Sequence, residues 1–190
     1  MRTLLATAGF VYILAGFAHA ASAPVDVEHS TLTIRVFKSG LFSGFAHDHV
    51  VAAPLSSGAL DPTALSVEVH FNAQQLRVLD PDASASDRAK VQATMLGDKV
   101  LNTTRFPEIS FISRSIKLSG EYAYTVEGDL TLHGVHHPLT IPVSLRNSHY
   151  TGSVKLKQTD FGITPISLFG GNVKVKDVIE ISFDIVLQGK

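Results

Sequence analysis

The chain has 190 residues, no cysteine, a formal net charge of −1 at pH 7 and 17% charged residues. These figures exclude a disulfide scaffold and a lipidated N-terminal cysteine, and they leave no basic excess to attract nucleic acid or an anionic lipid surface. A charged share below the usual quarter points to much buried sheet.

The chain opens on Met1-Arg2, a short positive region, and continues through an almost unbroken apolar run from Leu4 to Phe17. Ala18-His19-Ala20 and Ala21-Ser22-Ala23 follow. This order of charge, apolar run and small-x-small sites is that of a secretory signal peptide. The apolar run is shorter than the roughly 20 residues a spanning helix needs, so the chain is not expected to be an integral membrane protein. Cleavage is expected after Ala20, because a cut after Ala23 would place Pro24 beside the scissile bond. Residues 21–190 then form one periplasmic or secreted domain, large enough to be held together by an ordinary apolar core.

Beyond the leader, apolar and polar residues alternate at period two in segment after segment, the pattern of strands with one buried face. In chain order the apolar rows are Leu32, Ile34 and Val36; then Leu65, Val67, Val69 and Phe71; then Ile109 and Phe111. Tyr122, Tyr124, Val126, Leu130 and Leu132 form a further row, followed by Leu139, Ile141, Val143 and Leu145. Val154 and Leu156 precede the last row, Ile179, Ile181, Phe183, Ile185 and Leu187. With a segment between Gly44 and Leu60 this predicts about eight strands in an antiparallel sheet with one wet face. Ser39-Gly40, Asp61-Pro62, Ser119-Gly120, His133-Gly134 and Asn147-Ser148 mark the turns. One helical excursion interrupts the pattern at about residues 84–102. There Ser84 and Ser86 are candidate caps, Val91 and Met95 stand four apart, and Gly97 is a stop. Periodicity alone does not choose between a barrel and a sandwich, or between a filled interior and a cavity.

Two long motifs supply a choice. Asp98-Lys99-Val100-Leu101-Asn102-Thr103-Thr104-Arg105-Phe106-Pro107-Glu108-Ile109-Ser110-Phe111 resembles the FLNTxxYPxxxF stretch of the YceI-like family of polyisoprenoid-binding, lipocalin-like periplasmic proteins. Gly128-Asp129-Leu130-Thr131-Leu132-His133-Gly134-Val135-His136-His137-Pro138-Leu139-Thr140 resembles that family's GDLTLxGVxxPVT hairpin. Asp26-Val27-Glu28-His29-Ser30 is similar to its opening DxxHS, and Asp160-Phe161-Gly162-Ile163 to the segment before its last strand. The chain departs from the family pattern at Lys38-Ser39-Gly40, at Phe45-Ala46-His47-Asp48-His49, and at His136 and His137. The resemblance implies an eight-stranded antiparallel lipocalin-like β-barrel enclosing an apolar tunnel for an isoprenoid or fatty-acyl chain, with no cofactor required.

In such a barrel Leu32, Ile34, Val36, Val67, Val69, Phe71, Tyr122, Tyr124, Val126, Ile141, Val143, Phe183 and Ile185 point inward as candidate ligand contacts, although each is equally explained as core. Gly128 and Gly152 are expected to leave room for a ligand. The mouth is expected at the end carrying the helix and the connection from Thr159 to Asn172, flanked by Phe161, Phe169, Met95 and Leu96. A second candidate site is a histidine cluster at that mouth, His47 and His49 with His133, His136 and His137, which would suit a transition metal or haem. His29 and Ser30 read as structural. Catalysis is not expected: no G-x-S-x-G motif occurs, and Asp48 points away from both neighbouring imidazoles on a strand. Leu168 and Phe169, apolar loop residues, fit a homodimer as well as a monomer.

N-terminal sequencing of exported protein is expected to read from Ala21; a membrane-held chain beginning at Met1 would defeat the leader assignment.

Overall fold

A computed structural model describes residues 22–39, 48–61, 63–168, 170 and 172–189. The strands are β1 (Ala23–Pro24), β2 (Thr31–Ser39), β3 (His49–Ala52), β4 (Leu55–Asp61), β5 (Ser66–Asn72), β6 (Arg77–Val78), β7 (Glu108–Gly120), β8 (Ala123–Leu132), β9 (Val135–Arg146), β10 (His149–Lys157), β11 (Ser167–Leu168) and β12 (Val173–Val186). Among the described residues one α-helix, α1 (Ala85–Leu96), lies between β6 and β7. All eight expected strand segments form. The count rises to twelve because the second segment divides into β3 and β4 and because β1, β6 and β11 are short additions.

Neighbouring strands are antiparallel throughout, in the order β1-β4-β5-β7-β8-β9-β10-β12-β2-β3-β6. The sheet curls round on itself through the bent segment at β3 and β4. Pro54 has no N–H to give, so a ladder cannot run straight through it. The Ala53 amide makes a bond to β2, at the Leu32 carbonyl (2.9 Å), whereas Leu55 on the far side of the bend pairs with Phe71 of β5. The open half of the seam is filled by β1 and the residues after it. Val25 bridges Leu187, and its amide bonds the Gly58 carbonyl at 2.8 Å. Such closure removes the unpaired edges that invite aggregation.

The opening Asp26–Ser30 segment locks this seam. The Asp26 carboxylate accepts from the Glu28 and His29 amides and meets His29 Nδ1 at 2.8 Å. Buried Ser30 accepts from the Val186 amide at 3.0 Å, so both residues have structural work, as expected.

The two long motifs interlock. Phe111 of the first lies on Gly128 of the second, where an added Cβ would stand 2.5 Å from Phe111 Cζ and 2.5 Å from the Ile112 carbonyl oxygen. Phe106 lies on Gly134, whose φ of +74° follows His133 at +53° in a two-residue hairpin turn of the type that favours glycine. The first motif also explains itself locally: Leu101 is buried, Asn102 takes a φ of +43°, and buried Thr103 donates from Oγ1 to the Leu96 carbonyl at the end of α1. Gly152 is covered in the same way, by the ring of Phe183 and the Pro142 carbonyl. The expectation that Gly128 and Gly152 leave space for a ligand is therefore corrected: phenylalanine rings occupy that space.

Helix α1 spans the expected excursion. The Ser84 hydroxyl accepts from the Asp87 amide at its start, and the Gly97 amide bonds Ala93 at its end. The helix has no fully buried residue, in keeping with its place on the outside.

Gly128→Ala is expected to cost on the order of 1–3 kcal/mol from overpacking, because backbone as well as a ring must move. Urea unfolding checks this; an unchanged midpoint would mean that the Phe111–Gly128 contact does not constrain the barrel.

Candidate functional site

The register divides the barrel into two unlike ends. One end collects the start of β7, the β8–β9 turn and the connection after β10; the other collects the turns β4–β5, β7–β8 and β9–β10. At the first end the chain folds over the barrel and floors it. Leu76, Leu101, Phe161 and Ile163 are all buried there, and Phe161 has no exposed surface. Asp177 clamps the turn carrying Phe161, accepting from the Thr159 amide at 2.9 Å and from Thr159 Oγ1 at 2.7 Å. Gln158 Nε2 ties the same turn to the Lys176 carbonyl.

Above this floor lies an apolar cavity of about 370 Å³. Twelve of the thirteen predicted inward residues line it: Leu32, Ile34, Val36, Val67, Val69, Phe71, Tyr124, Val126, Ile141, Val143, Phe183 and Ile185. Tyr122 does not. It sits in the β7–β8 turn at a φ of +57° and is 62% exposed, because β8 begins only at Ala123 and the period-two count cannot be extended back through a turn.

The wall also recruits residues from outside the regular rows. Leu76, Met95, Val100 and Leu101 come from the excursion around α1, Val25 from the seam, and Ile163 from the floor. Ile116 joins because β7 slips register between Ser113 and Ser115, which carries the inward face from Ile109 and Phe111 to an even-numbered residue.

The cavity reaches solvent at the end away from the helix. Leu65 lines it and is 55% exposed, and exposed Leu118 and Tyr122 stand on the same rim. This reverses the expected mouth. Phe161 is wholly buried in the floor, Met95 lines the interior, and Leu96 packs against the core; Phe169 lies outside the described residues. The excursion and the connection after β10 are long enough to fold across their end, whereas the opposite turns are too tight to cover theirs.

The four described histidines of this set do not converge. His49 leads β3 and gives Nδ1 to the buried Asp80 carboxylate at 2.6 Å; the other Asp80 oxygen accepts from the Val50 amide at 2.8 Å. His133 Nδ1 lies 3.1 Å from the Phe161 carbonyl oxygen, His136 Nδ1 2.8 Å from Thr131 Oγ1, and His137 Nδ1 3.0 Å from the Pro138 carbonyl oxygen. Strands β10, β12 and β2 stand between β9 and β3, so His49 is across the barrel from the other three. No group of three or more metal-capable side chains occurs among the described residues, and His47 lies outside them. The Asp80–His49 pair was not foreseen in the sequence, since its members are 31 positions apart. Among the described residues no hydroxyl is hydrogen-bonded to the His49 ring. No helix among the described residues is long and apolar enough to cross a membrane.

The model of the YceI-like domain matches residues 24–187. The chain belongs to the YceI-like family. This is a family of binding proteins rather than of enzymes. Among similar proteins, the UPF0312 protein of Shewanella sp. strain W3-18-1 is 29% identical over 180 residues, covering 85% of this chain and 87% of its own. That of Shewanella putrefaciens strain CN-32 is 30% identical over 164 residues, covering 77% and 78%. Burkholderia cenocepacia BcnA has a similar structure, with a TM-score of 0.61 at 19% identity over 85% of this chain and 98% of that one. The Campylobacter jejuni YCEI protein is similar with a TM-score of 0.50 at 14% identity, covering 74% and 82%. These two structures support the fold.

The floor carries a pH dependence. The Thr159 amide and then the Thr159 hydroxyl hold the Asp177 carboxyl below the ordinary aspartate range. A carboxyl lowered on folding adds stability above its unfolded pKa and loses it as pH falls through the folded value. Urea midpoints of wild type are therefore expected to fall below about pH 4, and those of Asp177→Asn to fall less steeply, starting lower at pH 7. Parallel pH curves for the two proteins would overturn the assignment of this clamp.

Proposed function

We propose that the domain is an exported, non-catalytic carrier that holds one long apolar chain, isoprenoid or fatty-acyl, lengthwise in the barrel. The observation that carries this reading is the apolar cavity itself, floored at one end and open at the other. Its size falls within the usual range for small-molecule sites. Burial of each methylene is worth roughly 0.8 kcal/mol, so ten of them supply about 8 kcal/mol before the entropy of binding is subtracted. An apolar tail of that length needs no charged anchor. Membership of a family of binding proteins, and the polyisoprenoid ligand that the motif resemblance implies, point the same way.

Two experiments test the reading. Mass spectrometry of organic extracts from protein purified from its native exported compartment is expected to find a prenyl or acyl lipid. Val69→Phe, which thickens the cavity wall, is expected to weaken binding of a prenyl probe at least about tenfold while changing the stability of the empty protein by less than about 1 kcal/mol. An extract without lipid, no probe binding, and a stability loss of about 1–3 kcal/mol on Val69→Phe would together show a filled core instead.

A further inference from the structure

The outer wall over β10, β12 and β2 carries a concentration of unanswered positive charge. The register sets Lys155 opposite Glu180, Glu180 opposite Arg35, and Lys157 opposite Val178. Their chain neighbours Leu156 and Ile179 are buried, and Ile34, Val36, Ile179 and Ile181 line the cavity, so these side chains face outward. Lys176 holds its ammonium 5.8 Å from the centre of the Phe37 ring of β2, on the same wall despite the register shift between Val175 and Ile179. Lys174 precedes it at the same parity. Arg35, Lys155, Lys157, Lys174 and Lys176 are all exposed, and none makes an ion pair among the described residues.

Cations elsewhere on the barrel are matched: Arg114 lies 3.2 Å from Asp129, and Lys117 3.2 Å from Glu127. The carboxylates nearest the five are few and already engaged. Asp177 accepts from the Thr159 amide and hydroxyl, Glu180 from the Ser153 hydroxyl, and Asp160 turns to His137 of β9 at 3.8 Å. Five cations thus share the wall with two carboxylates, Asp177 and Glu180, an excess of three on a chain whose net charge is −1. Composition shows no basic excess, yet strand pairing concentrates one locally.

Two further features narrow the partner. Strand β12 is bonded on both sides, by β10 and β2, so it offers no free edge to a peptide strand. The patch also has apolar surface within it: Val178 is 37% exposed, and half-buried Phe37 lies against Lys176. Apolar side chains among lysine stems suit the boundary of a lipid layer, where stems lie on hydrocarbon and ammonium groups reach phosphate.

We propose that this wall docks the domain on an anionic phospholipid surface, with Arg35, Lys155, Lys157, Lys174 and Lys176 on the lipid phosphates and Val178 among them. The contact is peripheral. It uses the outside of the barrel and stands apart from the carrier reading.

Sedimentation of the full mature domain with vesicles tests it. Binding is expected on phosphatidylcholine containing about one-third phosphatidylglycerol, and is expected to weaken as ionic strength rises. On phosphatidylcholine alone it is expected to be at least about tenfold weaker. Lys155→Ala/Lys157→Ala is expected to cut affinity for the anionic vesicles at least about tenfold, since each basic residue at such a surface is worth about a factor of five. Arg114→Ala/Lys117→Ala removes the same two charges from β7 and is expected to change affinity less than about twofold. Urea unfolding transitions establish that both variants fold. No binding to anionic vesicles, equal binding to both lipids, or equal losses in the two variants overturns the proposal. Retention on polyglutamate with no vesicle binding also overturns it, in favour of an acidic polypeptide. A domain that docks on the anionic vesicles as expected but holds no prenyl probe supports this inference and defeats only the carrier reading.

Discussion

The Phe111 ring seated on Gly128 is the contact on which the barrel's cross-section depends. A side chain at position 128 would push β7 and β8 apart, and no side chain at 111 would leave the wall thin where the two strands bend. The Phe106–Gly134 contact repeats the device one hairpin end away, with the His133 ring 4.5 Å from Phe106. The two long motifs therefore need each other. Aromatic bulk in one is matched by missing bulk in the other, and the floor hangs from their junction through Leu101 and Thr103.

From that junction follows the asymmetry of the interior. Polar bonding and close packing are concentrated at the floor, where Asp177 holds the Thr159 amide and Gln158 and Thr103 donate to the Lys176 and Leu96 carbonyls. The mouth is built from short turns and has little to pack against, so apolar side chains such as Leu65 and Leu118 stay in contact with water. A cavity survives between them because the inward rows consist largely of Val, Ile and Leu, which line a wall without reaching the axis.

Much of this was legible from alternation alone. The rows of β2, β5, β9 and β12 face inward as read, because a strand with one wet face writes its orientation into every second residue. The errors fall where the period breaks. Tyr122 shares the parity of Tyr124 but lies beyond the start of β8, and Ile116 has the wrong parity for its row until the slip at Ser113–Ser115 is known. Phe161 was read as flanking the mouth because no local pattern reveals that its turn folds back under the barrel. His49, His133, His136 and His137 lie at one end, as read, yet an end is a ring, and only strand order shows that His49 sits across it from His133. Asp80 gave no sign at all, since its partner is set by tertiary pairing of β6 on β3.

The seam between the first and last described strands carries a consequence for how the molecule is made. Val25, 2% exposed, has neighbours on both sides only when β4 and β12 are present, and Ser30 meets Val186 across 156 positions. Contacts that distant close late and slowly, because the loop entropy must be overcome before they repay anything. The sheet thus stays open and unsealed until its last described strand pairs. Until then the β2 edge that β12 covers is bare, for a time set by the loop entropy of bringing the two together rather than by any local propensity.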